Sequence, residues 1–128
     1  MDYSKLSDQE INGLVIDALS DGNQAHRNGV GSFIELLHQV NSVELGEHIE
    51  RDEVYARFDP CNNAADAWPI IASNQISLMY EEAMGKWCAG KPYWVDGCEW
   101  QLDIDVMDAN PLRSAMIFFL MMQESQHA

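Results

Sequence analysis

Four histidines, three cysteines and two aspartates placed two residues apart are the side chains of this sequence best suited to chemistry. His26, His38, His48 and His127 are scattered, with no His-Glu-x-x-His arrangement and no cysteine at short spacing, so a metal centre would have to be assembled by folding alone. No metal site is therefore read from them. Asp103 and Asp105 could offer two carboxylates to Mg²⁺ from one face of a strand, but solvent-facing acids on a half-buried strand give the same alternation. Cys61 sits beside a helix start, where a thiolate is stabilised, yet with no local histidine as base it reads as structural. Cys61, Cys88 and Cys98 form an odd set without Cys-x-x-Cys spacing, which fits a reducing cytoplasm rather than a disulfide framework.

A glycine-rich phosphate loop, a dinucleotide fingerprint and a Gly-x-Ser-x-Gly elbow are all missing, and no catalytic residue or cofactor is assigned. The aromatic set Trp68, Trp87, Tyr93, Trp94 and Trp100 could stack bases. Against that stands the charge: 21 Asp plus Glu and 7 Lys plus Arg leave −14, beyond the magnitude of about 2–8 usual for a small domain. Such a chain repels a phosphate backbone, so direct nucleic-acid binding is not expected and core packing is the better account of the aromatics. The same field attracts a basic protein surface and speeds encounter with it, although solubility alone would also use it.

The elements that must position these groups follow from periodicity. The 128 residues suit a single domain, 1–128, and 47 % apolar residues can offset chain ordering. Ser7 and Glu10 make a capping box, Leu6 and Ile11 a hydrophobic staple, and the spacing predicts a first helix over residues 8–19. Residues 22–31 hold glycines and asparagines without apolar periodicity and read as a loop. Ser32 suggests a cap for a second helix carrying Phe33, Ile34, Leu36, Leu37 and Val40, a run short enough to fit a strand as well. Residues 43–59 read as an acidic connection leading into a short strand.

Asn63 is an N-cap with Asp66 in the first turn, and Pro69 is expected to interrupt and kink that helix before Ser73-Asn74-Gln75 stops it. Ile76-Ser77-Leu78 reads as a strand, and residues 86–95, with Gly90 and Pro92, as an edge strand or loop. Asp96-Gly97 marks a hairpin turn. Trp100, Leu102, Ile104 and Val106 alternate with Gln101, Asp103 and Asp105, a strand apolar on one face and acidic on the other. Asn110 caps and Pro111 opens a closing helix to about residue 124 that has almost no polar face. In its first turn Arg113 opposes the helix dipole, so either a carboxylate partner holds it there or it is a surface arginine tolerated at small cost. The result is an α+β fold, a small mostly antiparallel sheet of about three or four strands packed by two or three helices.

Three segments, Asp2-Tyr3-Ser4-Lys5-Leu6-Ser7-Asp8-Gln9-Glu10-Ile11-Asn12, Cys61-Asn62-Asn63-Ala64-Ala65-Asp66-Ala67-Trp68-Pro69-Ile70-Ile71 and Asn110-Pro111-Leu112-Arg113-Ser114-Ala115-Met116, give a further lead. In order and content the chain resembles the NinX-like family of bacteriophage accessory proteins. The resemblance implies an accessory protein expressed by a phage or prophage inside a bacterial host, and carries over no catalytic or binding residue.

Two surfaces are then expected to matter. The acids Glu44, Glu47, Glu50, Asp52, Glu53, Asp103 and Asp105 would engage a host protein with a basic surface, such as a defence or nucleic-acid-handling protein. On the closing helix, Leu112, Ala115, Met116, Phe119 and Leu120 would face the sheet and leave Ile117, Phe118 and Met121 for a homodimer contact, unless the first helix covers them. The competing class, a small enzyme or metabolite-binding protein, needs Asp103, Asp105, Cys61 and the histidines to converge in one pocket. With no basic segment preceding an apolar run at Met1-Asp2-Tyr3-Ser4-Lys5, and residues 115–122 too short to span a bilayer, neither secretion nor a membrane partner is expected.

Overall fold

The computed structural model describes residues 1–127, and their side chains at all positions but 104, 105 and 127. After a 3-10 turn at Tyr3–Lys5 the order is α1 (Asp8–Ser20), β1 (His26–Asn28), β2 (Ile34–Glu44), β3 (Glu47–Phe58), α2 (Ala64–Ser73), β4 (Ser77–Glu81), β5 (Lys86–Val95), β6 (Glu99–Asp108) and α3 (Pro111–His127). This is the expected α+β, antiparallel fold, with the strands divided between two sheets of order β1-β2-β3 and β4-β5-β6.

Local chemistry explains the helices. Ser7 accepts from the Glu10 amide while the Glu10 carboxylate accepts from the Ser7 amide, closing the capping box of α1. Asp21 in the left-handed region and Gly22 end it. Asn63 caps α2 by accepting from the Ala65 amide. The helix continues through Pro69, whose ring removes one hydrogen bond without ending the segment. Asn110 caps α3, accepting from the Leu112 and Arg113 amides.

The centre of the core is α3, which packs on α1, α2 and all three strands of the second sheet. Leu120, Phe119 and Met116 are buried there, and so are Ile117 and Phe118. That corrects the expected faces of the helix: Ile117 and Phe118 lie inside the monomer and Met121 is half-buried, on the stripe whose Ser114 donates to the Trp87 carbonyl of β5, with Ile117 beside Val106 of β6 and Phe118 beside Lys91 of β5. Burying one such side chain contributes about 1.5–3 kcal/mol, so α3 anchors everything it touches.

Other expectations are corrected by pairing. Residues 34–44 are the strand β2 rather than a helix, because β3 pairs along its whole length and β1 pairs with its other edge at residues 34–36. Residues 26–28 are β1, inside what reads as a loop, and the acidic connection is itself a long hairpin, with Leu45-Gly46 at its apex. β5 is the central strand of its sheet; β4 pairs only as far as Gly90, so Pro92 falls where β5 has one neighbour and the missing donor matters least. At Gly90 a Cβ would stand 2.0 Å from the Asp103 carbonyl oxygen, which only glycine permits.

A bulge changes which side of β6 is wet. β6 has one more residue than β5 between the pairs Ala89–Val106 and Gly90–Ile104. Val106 faces the core, but past the bulge the alternation is reset, and Leu102 and Trp100 share the opposite face with Pro92 and Trp94. Aromatic core packing is thereby corrected too: Trp68, Tyr93, Trp94 and Trp100 are exposed and only Trp87 is half-buried.

Candidate functional site

Five of the acids singled out from sequence come together on one element. Beyond the reach of β1, which pairs with residues 34–36, β2 and β3 continue as a two-stranded arm over residues 38–53, and its strands extend for roughly 24 Å at about 3.4 Å per residue. Most of its side chains are exposed on both faces. In register, Glu44 faces Glu47 and Glu53 faces His38 on one side, while Asp52 faces Gln39 and Glu50 faces Asn41 on the other. The one cationic side chain among them, Arg51, reaches Glu44 at 3.4 Å and Glu53 at 3.1 Å, and His48 lies 3.7 Å from Glu50. Five carboxylates against one arginine leave the arm strongly negative on both faces.

Two features make the arm unusual as a piece of fold. An isolated two-stranded hairpin is at best marginally stable in water, and this one gains only cross-strand contacts such as the His38–Tyr55 stack at 5.2 Å. At the apex Leu45 and Gly46 both have positive φ, 51° and 80°, as the twist of a two-residue hairpin requires. Asparagine or glycine suits the first position; a leucine there costs on the order of 1 kcal/mol, and Leu45 is fully exposed, so packing does not offset it.

The remaining acids lie elsewhere. Asp103 is exposed on the other sheet, in register with Lys91, whose ammonium donates to the Asn74 and Gln75 carbonyls. The Asp105 side chain lies outside the described residues. Nor do the groups required for an enzyme converge: His26 pairs with Asp17 at 2.9 Å beside an open cleft of about 360 Å³ over α1, His38 and His48 are on the arm, and His127 is outside the described side chains. Cys61 is buried, and burial, with Asp8 adding to it, pushes its thiol far above the ordinary range, the reverse of an activated thiolate. Among the described residues no cluster of three metal-ligating side chains occurs, and no helix is long and apolar enough to cross a membrane.

Where sequence reasoning gave no cluster, the structure has one: a polar knot tying both ends of the chain to its middle. Fully buried Asn12 donates to the Ser32 carbonyl at 3.0 Å and Asp59 at 2.8 Å and accepts from the Cys61 amide at 3.2 Å. Ser32 donates to the other Asp59 oxygen, and the Asp59 amide donates to Asp66 at 2.9 Å. Asn110 donates to the Cys61 carbonyl at 2.7 Å and Asn62 to Asp8 at 2.9 Å. Arg113 closes it, reaching Asp8 at 2.7 Å, Asp108 at 3.2 Å and the Leu6 and Ser4 carbonyls at 2.8 and 3.1 Å. Those carboxylates raise the arginine's already high pKa against the opposing effect of burial. Of the two readings of Arg113, the one with carboxylate partners is the one observed.

A profile of the family described as Bacteriophage P22, NinX matches residues 2–123. The chain belongs to the NinX family. No sufficiently similar curated protein or solved structure was found. The segments that first suggest NinX supply Asp8, Asn12, Cys61, Asn62, Asp66, Asn110 and Arg113, so they meet in the knot, where every buried side-chain polar atom described has a partner. A satisfied network holds elements in place and leaves little free to grip a ligand. In this NinX-family chain those segments accordingly build the body, and the acidic arm projects from it.

Proposed function

We propose that this phage accessory protein works by binding a host protein with a basic surface through the acidic arm of β2 and β3, in the cytoplasm of the bacterial host. The exposed, doubly acidic arm carries the reading. Its carboxylates steer a cationic partner at long range, and Leu45 at the apex offers an apolar anchor for a pocket between the partner's cations. A nucleic-acid-binding site, as on defence or DNA-handling proteins, has that chemistry, because it must neutralise phosphates. Direct contact of this chain with nucleic acid is disfavoured by the same −14 charge.

The test is capture from host lysate on the immobilised protein at low and high salt, beside a variant with Glu47→Gln, Glu50→Gln and Asp52→Asn. A basic protein retained by the wild type at low salt, released at high salt and not retained by the variant is expected. Absence of any salt-sensitive partner that distinguishes the two would contradict the proposal.

A further inference from the structure

On the second sheet, the side turned away from α3 is apolar and open. Trp100 is 67 % exposed, Trp94 52 %, Met79 43 % and Met107 41 %, with Pro92 and Leu102 between the two ends. We propose that this face is a two-fold contact between two copies of the chain. It is separate from the acidic arm, which belongs to the other sheet, and stands whether or not that arm binds a host protein.

Charge selects the occupant. Acids number 21 in 128 residues, yet among the described side chains in register on the face from Ser77 and Met107 to Trp94 and Trp100 none is charged; Glu81 and Lys86 lie opposite each other beyond its end, and Asp2 lines the cleft at its rim beside Met107. A basic partner finds nothing there to complement. Two copies of a chain of charge −14 repel through most of their surfaces, and an uncharged face lets them approach without bringing carboxylates together.

Size and shape point the same way. Aromatic side chains offer about 150–250 Å² each, and with the methionines taken at the same size these exposures amount to roughly 300–500 Å² per copy, so two copies face to face bury about 600–1,000 Å², the small end of the specific contacts. The two ends of the face also differ. Trp94 and Trp100, edge to face at 5.5 Å, stand at one end, Met79 and Met107 at the other, and Gly90 and Pro92 keep the middle low. A two-fold axis through the middle sets the tryptophans of one copy on the methionines of the other, a favourable sulfur–aromatic pairing.

Sedimentation velocity on the full chain over a concentration series, at low and high salt, tests this, together with Trp100→Glu, Met79→Lys and an equimolar mixture of the two variants. The mass is expected to rise from 14.5 kDa towards twice that value with concentration, more readily at high salt because screening removes repulsion. Each variant should weaken the dimer at least about tenfold, the loss of roughly 1.4 kcal/mol of contact. The mixture should recover it, because the glutamate of one copy then meets the lysine of the other. A 14.5 kDa species at every concentration, a dimer that neither variant weakens, or a mixture no better than its components overturns the proposal. If circular dichroism shows that Trp100→Glu misfolds, Met79→Lys on the edge strand and the wild-type salt response still decide it.

Discussion

Replacing Arg113 by methionine keeps the length of the side chain and removes its charge and all five donors. In the structure that leaves Asp8 and Asp108 without their cation and the Ser4 and Leu6 carbonyls without their donors. Removing one partner of a buried ion pair costs about 3–5 kcal/mol. The Arg113 side chain is 13 % exposed, but Asp8 and Asp108 are 29 % and 23 % exposed, so water recovers part of the loss and about 2–3 kcal/mol is expected. Arg113→Lys should recover less than half of it, since one ammonium cannot reach four acceptors held by three elements. Urea unfolding followed by far-UV circular dichroism measures both, and a cycle with Asp8→Asn should show coupling above about 1 kcal/mol. As a control, Arg51→Gln on the arm, in exposed pairs, should change stability by less than about 0.5 kcal/mol. A loss below about 0.5 kcal/mol for Arg113→Met would refute the view that the knot holds the body together.

The other expectations are shorter. Phe118→Glu puts a charge where α3 is buried, and should abolish the cooperative melt in circular dichroism; a folded variant would contradict burial inside the monomer. Leu45→Gly removes strain at a positive φ, and should leave urea stability unchanged or raise it by up to about 1 kcal/mol while weakening capture of the arm's partner; a loss of stability would show that Leu45 serves the fold. Burial, assisted by the Glu124 carboxylate, raises the Tyr3 pKa from 10.0 to about 12. Neutral tyrosine is thus favoured in the folded state, so its contribution is intact below pH 10 and is lost as pH climbs towards 12, on the order of 2 kcal/mol; Tyr3→Phe should flatten that part of an alkaline stability curve. Alkylation followed by mass spectrometry should modify exposed Cys98 first and leave buried Cys61 and Cys88 protected until the protein unfolds.

Elements whose signals are local were legible in the sequence. The Ser7–Glu10 box, the Asn63 cap and Asn110-Pro111 each contain their own hydrogen-bond partner within three residues, and α1, α2 and α3 begin there. β2 was not legible, because Phe33, Ile34, Leu36, Leu37 and Val40 fit helical spacing as well as a strand, and pairing with β3 decided the matter. The acidic hairpin was hidden by its turn: Leu45-Gly46 lacks the asparagine or aspartate that usually marks such an apex. Its five acids could be named, but their assembly on one arm depends on that turn. In β6 a single extra residue moved Trp100 and Leu102 off the Val106 face, a change no alternation pattern can reveal. The knot joins Asp8 to Arg113 and Asn12 to Asp59, pairs that only the folded chain brings within hydrogen-bond reach.

The central claim is that the arm, and not the body, meets the partner. Site-directed photo-crosslinking inside host cells tests it most directly, with a photoreactive residue placed at Val43 on the arm or, as control, at exposed Ala72 on α2. A discrete cross-link to a basic host protein from position 43, missing from position 72 and lost when Glu47, Glu50 and Asp52 are neutralised, is the predicted result. Equal cross-linking from both positions, or a cross-link at 43 indifferent to those three carboxylates, would contradict it.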